Sequence, residues 1–599
     1  ARLDFQLRRL NPARSEIENA LSLFETSRAT LASRELRTSY FASKHDYYEL
    51  AVAILMKLSQ LHPREGYATQ ALTMAERARS RTLLDALDRA NAPSLAGVPP
   101  DLMAQERHVR EELDAAHTRL RDELGAKPDS ASSVKQLHAQ IEHLLNQSDG
   151  VEARMRAASS SYAALARGEP VKVSDLEQRV VAAHSALLEY WVGEKESFLW
   201  IVQQHKVSSA MLPPQKKLRA LVSQYRRNLL ARAQYRSGEG FAKRSQRVAA
   251  ADARLKAEAL KLGDLLLSPV LKMPGVQSLY IVPDGPLWSL PFPALRIRTS
   301  THGRSKQSAY TIPVRKHGGS DASRQPRAGA TEYAIARFGM VEEPSASVLL
   351  SLMRRRSKIE STPRVAIFAD PVYTANDPRV SGHGQHGEGV ENPAAITRWV
   401  TEAGMARLPR LAGSRQEALG IAALAGPGDA VLHMGFNAQP AIVRHTDWNR
   451  YTIAHFATHA MINAAHPAFS GIVLTMVNRH GVPEDGVLWL NQIYSLRMPV
   501  SLVVLSGCRT AAGRDIPGEG IAGLSRAFFF AGASRVMGSL WSVEDRETPV
   551  LMEGFYRKLL VRRLAAAASL RAAQIQMTTT KNWGAPYFWA GFVLEGLPN

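Results

Sequence analysis

The chain has 599 residues; at roughly 100 to 200 residues per domain, that length calls for three to four folded units. Hydrophobic residues make up 45% and charged residues 22%, a balance that excludes wholesale disorder and a collagen-like design. A single cysteine, Cys508, excludes an intramolecular disulfide framework and points to a reducing compartment or to a thiol kept for chemistry, with a cytoplasmic location expected. The formal charge of +20 suggests nucleic acid until it is located along the chain. Residues 1–200 carry 26 basic and 28 acidic side chains, residues 201–250 carry 11 basic against Glu239 alone, and residues 451–550 balance at seven of each sign. Half of the excess is therefore a local basic stretch with few aromatics, Tyr225 and Tyr235, which reads as a solvated or docking face, so a nucleic-acid partner is not expected, and the rest is spread through later linkers.

In chain order, residues 1–166 read as paired helices, with Ile17, Ala20, Leu21 and Phe24, then Leu50, Ile54 and Leu58, then Ala71, Met74, Ala75 and Ala78 at helical spacing. Ala1 already lies in an amphipathic stretch without an initiator Met, so the chain is expected to be a fragment. Polar segments at 102–126 and 133–146, broken at Lys127-Pro128, predict a helical hairpin lying across a surface. Runs at 186–192 and 197–202, joined by Gly-Glu-Lys-Glu, predict a β-hairpin that opens an α/β region. A basic helix over 215–262 follows, then strands at 279–282 and 365–368, separated by Gly-, Ser- and His-rich loops at 301–330 and 381–389 that are the expected sites of any processing. Helices at 415–424, 520–531 and 548–562 alternate with strands at 452–457, 471–476, 500–506 and 535–540. Such alternation implies a mostly parallel sheet covered by helices, with domains expected at 1–166, 185–375 and 376–599. No apolar run approaches the roughly 20 residues that span a bilayer, so no membrane partner is expected.

Ligands and catalytic groups of open parallel sheets sit at the carboxyl ends of strands. One predicted strand ends in His455-Phe456-Ala457-Thr458-His459, and another ends in Ser506-Gly507-Cys508-Arg509. Cys508 stands between Gly and Arg, not within an apolar run, and a thiol becomes a strong nucleophile when an imidazole takes its proton. His459 is preferred as the base because it lies at the strand end, with His455 deeper as a supporting group and His466 in the next loop. The 49-residue separation of His459 and Cys508 fits the caspase interval of about 50.

Four segments now carry a resemblance: YIVPDGPLWSLPFPAL from Tyr280, HFATHAMINAAHPAFSGIVL from His455, the stretch from Leu502 to Asp545 around LSGCRTAAG, and APYFWAGFVLEG from Ala585. Residues 185–597 resemble a CHAT domain, a caspase-like cysteine peptidase module that usually follows tetratricopeptide repeats. The resemblance implies a caspase-hemoglobinase fold, degenerate tetratricopeptide repeats in the helical N-terminal region, Cys508 as nucleophile and His459 as base. It further implies a protein substrate, a regulatory protein partner on the N-terminal helices, and oxyanion stabilisation by the backbone N–H groups of Cys508 and Ala460. The family usually has Gly after the His; Ala460 carries strain of roughly 1 to 2 kcal/mol if that position needs a left-handed backbone. Ser506 stands where some relatives that cut after Arg or Lys carry a pocket Asp, which disfavours basic specificity. Trp541, Glu544 and Asp545 match a caspase pocket wall but offer carboxylates in place of an arginine, which disfavours cleavage after Asp. Arg509 and Arg514 are expected either at substrate or in a network with Glu519, Glu544 or Asp545.

The alternative to a peptidase is a catalytically inactive scaffold of the same fold. Gly518 to Gly523 fits GxGxxG but stands too far beyond its strand for a dinucleotide site. His383, His386 and Glu388 lack further ligands, so neither a metal nor a cofactor is expected.

Overall fold

A computed structural model describes residues 1–29, 45–79, 83, 98–125, 131–159, 172–180, 184–204, 206–299, 330–354, 363–381, 408–463, 470–507, 514–516, 520–543 and 545–598. The expected processing loop at 381–389 lies outside this set apart from Ser381, as do nearly all of 301–330 and all of His383, His386 and Glu388.

The apolar spacing at the start of the chain produces helices at Leu10–Ala29, His45–Leu61 and Tyr67–Arg77 that pack in succession. They bury Leu21, Val52, Ile54 and Leu72 almost completely. These side chains join one apolar cluster with Trp191, Trp200, Phe368 and Phe456, so the helices lie on one face of the sheet. Two charged residues fix the join. Glu76, buried, accepts from the backbone N–H groups of Ala346 and Ser347 at 3.0 and 2.7 Å, capping the start of the Ala346–Arg354 helix. Arg79 reaches the carbonyls of Tyr190 and Pro283 and lies 3.5 Å from Asp284.

The sheet has eleven strands in the order Lys206–Leu212, Ser197–Gln203, Ser185–Val192, Ser278–Val282, Gly339–Glu342, Phe592–Gly596, Arg535–Ser539, Leu502–Leu505, Ile453–Ala457, Val365–Ala369, Ala430–Met434. Pairing is parallel except among the first three strands and between Phe592–Gly596 and Arg535–Ser539. Alternation along the strands sorts side chains between two cores: Ala454 and Phe456 face one, Ile453 and Ala457 the other. Both faces are covered, which is why the strands read as continuous apolar runs.

Several predicted elements differ. The basic helix is two packed helices, Gln215–Leu229 and Phe241–Leu266, because the Ser-Gly-Glu-Gly turn between them needs a left-handed Gly238 at φ 74°. The strand expected at 471–476 is shorter, Gly471–Val473, and belongs to a separate antiparallel sheet with His459–Met461 and Val487–Trp489. The helix expected from 520 begins at Leu524, after a short strand at Gly520–Ala522 paired with Arg514–Ile516. The boundary expected at 375 cuts off Val365–Ala369, which pairs between Ile453–Ala457 and Ala430–Met434 and so belongs with the second half of the sheet. The polar hairpin forms as Pro100–Gly125 and Ala131–Ala158. Its apolar stripe, including Leu113, Ile141 and Leu144, shares a cluster with Tyr373, Leu408, Met461 and Trp489. Among the described residues no helix is long and apolar enough to cross a membrane.

Candidate active site

The strand Ile453–Ala457 and its neighbour Leu502–Leu505 pair in parallel, with Ile453 opposite Leu502 and Phe456 opposite Leu505, a constant offset of 49. The N–H of Ser506 continues the ladder to the carbonyl of Phe456 at 3.1 Å. His459 and Cys508 stand 49 apart in the chain. The described chain stops at Gly507, whose carbonyl accepts from Ser539 Oγ at 2.7 Å; Cys508, Arg509, Glu519 and Glu544 lie outside the described residues, and of Arg514 only the backbone is described.

His459 is held on three sides. The chain leaves the main sheet at Thr458, and His459 opens the small antiparallel strand opposite Val473. Its Nε2 lies 2.8 Å from the carbonyl of Pro409, which requires Nε2 to carry the proton and leaves Nδ1 as the acceptor. The ring packs on Tyr373 with centroids 5.0 Å apart, and the Tyr373 hydroxyl accepts from the His459 N–H at 3.3 Å. Burial pushes the His459 pKa below its ordinary value, partly offset by the Pro409 carbonyl and the charge of Asp545. The imidazole is therefore neutral at pH 7, as a general base must be.

The Pro409 carbonyl is itself fixed. Arg410 forks onto the Asp370 carboxylate at 2.9 and 3.0 Å, and Arg379 meets the same group at 3.0 Å. Asp370 directly follows the Val365–Ala369 strand, is wholly buried, and takes a left-handed backbone at φ 49°, which Asp tolerates better than most residues. Its N–H donates to Ser414 Oγ at 2.9 Å, and that hydroxyl donates to the Leu411 carbonyl at 2.7 Å. Residues 409–414 are thus tied to the end of the neighbouring strand. Sequence reasoning missed Asp370, Arg410 and Tyr373; the polar residue ending a third parallel strand was the available signal for the first.

The other expected site residues divide. Ala460 lies in an extended strand opposite Ile472 and is absent from the described positive-φ residues, so an Ala here carries no left-handed strain. His455 does not support His459. It is fully buried on the main sheet, with Nδ1 3.0 Å from Tyr556 Oη and Nε2 2.9 Å from Glu417, because the break at Thr458 separates the two histidines. Ser506 is 6% exposed, its Oγ 3.5 Å from His455 Nε2. Trp541 is 3% exposed and donates to the Tyr587 carbonyl at 3.1 Å. Both side chains are buried. Asp545 accepts from the Gly413 N–H at 2.7 Å, at the start of the Ala412–Ala425 helix. Gly413 permits this approach, since a Cβ there would collide with the Asp545 carbonyl. Among the described residues no cluster of His, Cys, Asp and Glu fits a metal.

A mostly parallel sheet covered on both faces defines an α/β protein, here with a buried, neutral histidine just beyond a strand end. Residues 256–597, more than half of the chain, match the CHAT domain, and the chain belongs to that family. Tetratricopeptide repeat protein 28 of Mus musculus is 39% identical over 104 residues, 17% of this chain and 4% of that protein. Its Homo sapiens counterpart is 36% identical over 113 residues, 19% of this chain and again 4% of that protein. The chain thus spans a small fraction of these relatives. Among solved structures, separase bound to securin from Saccharomyces cerevisiae overlaps with a TM-score of 0.38 at 10% identity, covering 94% of this chain and 46% of that one. The pro- and mature domains of RgpB from Porphyromonas gingivalis overlap with a TM-score of 0.30 at 9% identity, covering 65% and 78%.

Proposed function

We propose that the chain is a cysteine endopeptidase in which Cys508 and His459 form the catalytic pair. The observation that supports this reading is the offset of 49 between the paired strands Ile453–Ala457 and Leu502–Leu505, which equals the separation of the two residues in the chain, together with the buried, neutral imidazole of His459. Nδ1 of His459 takes the thiol proton, and the thiolate adds to a peptide carbonyl. The backbone N–H groups of Cys508 and Ala460 receive the oxyanion. The imidazolium returns its proton to the leaving amine, and water attacks the resulting thioester to release the acid and regenerate the thiol. The same proposal includes a cytoplasmic location, where a lone free thiol stays reduced, and other proteins as substrates.

Regulation through the N-terminal helices belongs to the same proposal. The hairpin Pro100–Gly125 and Ala131–Ala158 shares its apolar cluster with Leu408 and Tyr373. The first precedes the carbonyl that holds His459, and the second packs against its ring. A protein that shifts the hairpin therefore acts on the geometry of the base.

The test uses the lone cysteine. Peptidyl acyloxymethyl ketones, which react with a thiolate seated beside a base, should label Cys508 in the wild-type chain and fail with His459→Ala. Equal labelling of both, or labelling of neither while iodoacetamide still reaches Cys508, would favour the inactive scaffold.

A further inference from the structure

Folding gathers the basic segment without neutralising it. The helices Gln215–Leu229 and Phe241–Leu266 pack as a hairpin, and residues 215–262 carry thirteen basic side chains against Glu239, Asp252 and Glu258, a net charge of +10. All three acids are inside that count: Glu239 bridges Arg247 at 2.7 Å, Asp252 bridges Arg232, and Glu258 accepts from Gln224 and Asn228. Residues 300–329, outside the described set, follow the strand Arg296–Arg298 at the base of the hairpin and add six basic residues against Asp321. They do not offset the charge.

The same hairpin projects an apolar tip. The first buried residue of its second helix is Ala251, so the ten residues before it, roughly 15 Å at about 1.5 Å per residue, stand clear of the described core. Among the described large hydrophobic side chains Phe241, at 88%, is the most exposed and Tyr235, at 74%, the next. They flank the Gly238 turn that joins the helices. Arg236 and Lys243 are exposed close by in the chain, and the Arg244 guanidinium lies 3.9 Å from the centre of the Tyr235 ring. Among the described residues no carboxylate bridges any of these three. The field there is positive: the Arg247 hydrogen bond, with the charges of Arg247, Arg236 and Arg244, holds the Glu239 carboxyl below its ordinary value.

A nucleic-acid strand is met by aromatics spaced along a basic track. Here the shaft, with Lys216, Lys217, Arg219, Arg227 and Lys256 exposed, shows no aromatic, because Tyr225 is wholly buried. Rings at a projecting end, surrounded by cations on long stems, match the headgroup layer of an anionic bilayer, where rings settle at the interface and Lys and Arg meet phosphates. We propose that the tip of this hairpin, residues 233–247, docks the protein on an anionic phospholipid surface. Tyr235 and Phe241 enter the headgroup layer, and Arg236, Lys243 and Arg244 bind its phosphates. This reverses the expectation of no membrane partner, which rested on the lack of a spanning run; surface docking needs none.

The test is flotation of the full chain with vesicles of phosphatidylcholine alone or mixed with phosphatidylserine. The wild type should float with the mixed vesicles at low salt, leave them as salt rises, and ignore the neutral ones. Phe241→Ser should weaken binding to mixed vesicles about 5-fold or more. Arg236→Gln, Lys243→Gln and Arg244→Gln together should weaken it about 10-fold or more. The thermal midpoint confirms the fold of each variant, and the readout does not involve Cys508, so it stands or falls apart from the peptidase reading. Equal flotation with neutral vesicles, no flotation with either kind, or flotation untouched by either variant overturns the proposal. Displacement of the mixed vesicles by a single-stranded oligonucleotide whose own binding ignores Phe241→Ser assigns the surface to nucleic acid and overturns it as well.

Discussion

Asp370→Asn isolates the clamp that holds the base. Asn keeps the shape of the side chain and tolerates the left-handed backbone at φ 49°, and the N–H bond to Ser414 is untouched. What disappears is the negative charge under the Arg410 fork and the Arg379 contact. A buried pair broken from one side costs about 3 to 5 kcal/mol. Here the arginines are 20% to 50% exposed and regain some water, so a loss of about 2 to 3 kcal/mol is expected, of the order of one charge-assisted hydrogen bond. The chemistry changes as well. With Arg410 released, the Pro409 carbonyl no longer fixes the His459 ring, and the rate of Cys508 alkylation by a peptidyl ketone falls about 10-fold or more while iodoacetamide reacts as before. Urea unfolding and the two alkylation rates measured together check this. An Asp370→Asn chain with wild-type stability and a wild-type ratio of the two rates would show that the Asp370–Arg410 pair does not hold the base.

Ile141 is fully buried in the cluster joining the hairpin to Leu408 and Tyr373; Ile141→Ala should cost about 2 to 4 kcal/mol and speed hydrogen exchange at 408–411 and 459–461. Exchange at those segments that stays unchanged while the hairpin itself loosens would refute the coupling. Burial raises the Glu595 carboxyl to about 7 from its ordinary 4.5, with Glu342 and Glu343 raised beside it. A raised carboxyl stabilises the fold fully below pH 4.5 and loses that contribution as the pH climbs through about 7. Glu595→Gln should therefore flatten part of the decline in melting temperature across that interval, and an unaltered decline would contradict the assignment.

Local pattern accounts for much of what the molecule is. Helical spacing in residues 1–78, the alternation of strands and helices after 185, and the two polar strand ends at His459 and Cys508 are all legible without coordinates, because each depends on neighbours within one element or one turn. The doubling of the basic segment was also written locally, in the Ser-Gly-Glu-Gly turn before Phe241. The rest depended on which strands lie side by side. His455 and His459 are four apart in the chain, yet the break at Thr458 sends one into the core with Glu417 and Tyr556 and the other to Pro409 and Tyr373. Asp370, Arg410 and Arg415 are dispersed in sequence and meet only because Val365–Ala369 pairs with the histidine strand. Hydrophobic period and turn chemistry act over a few residues, so the sequence alone determines the elements and singles out Cys508 and His459 as a candidate pair. Long-range strand order decides which charges share a low-dielectric space, and with it the tautomer of His459.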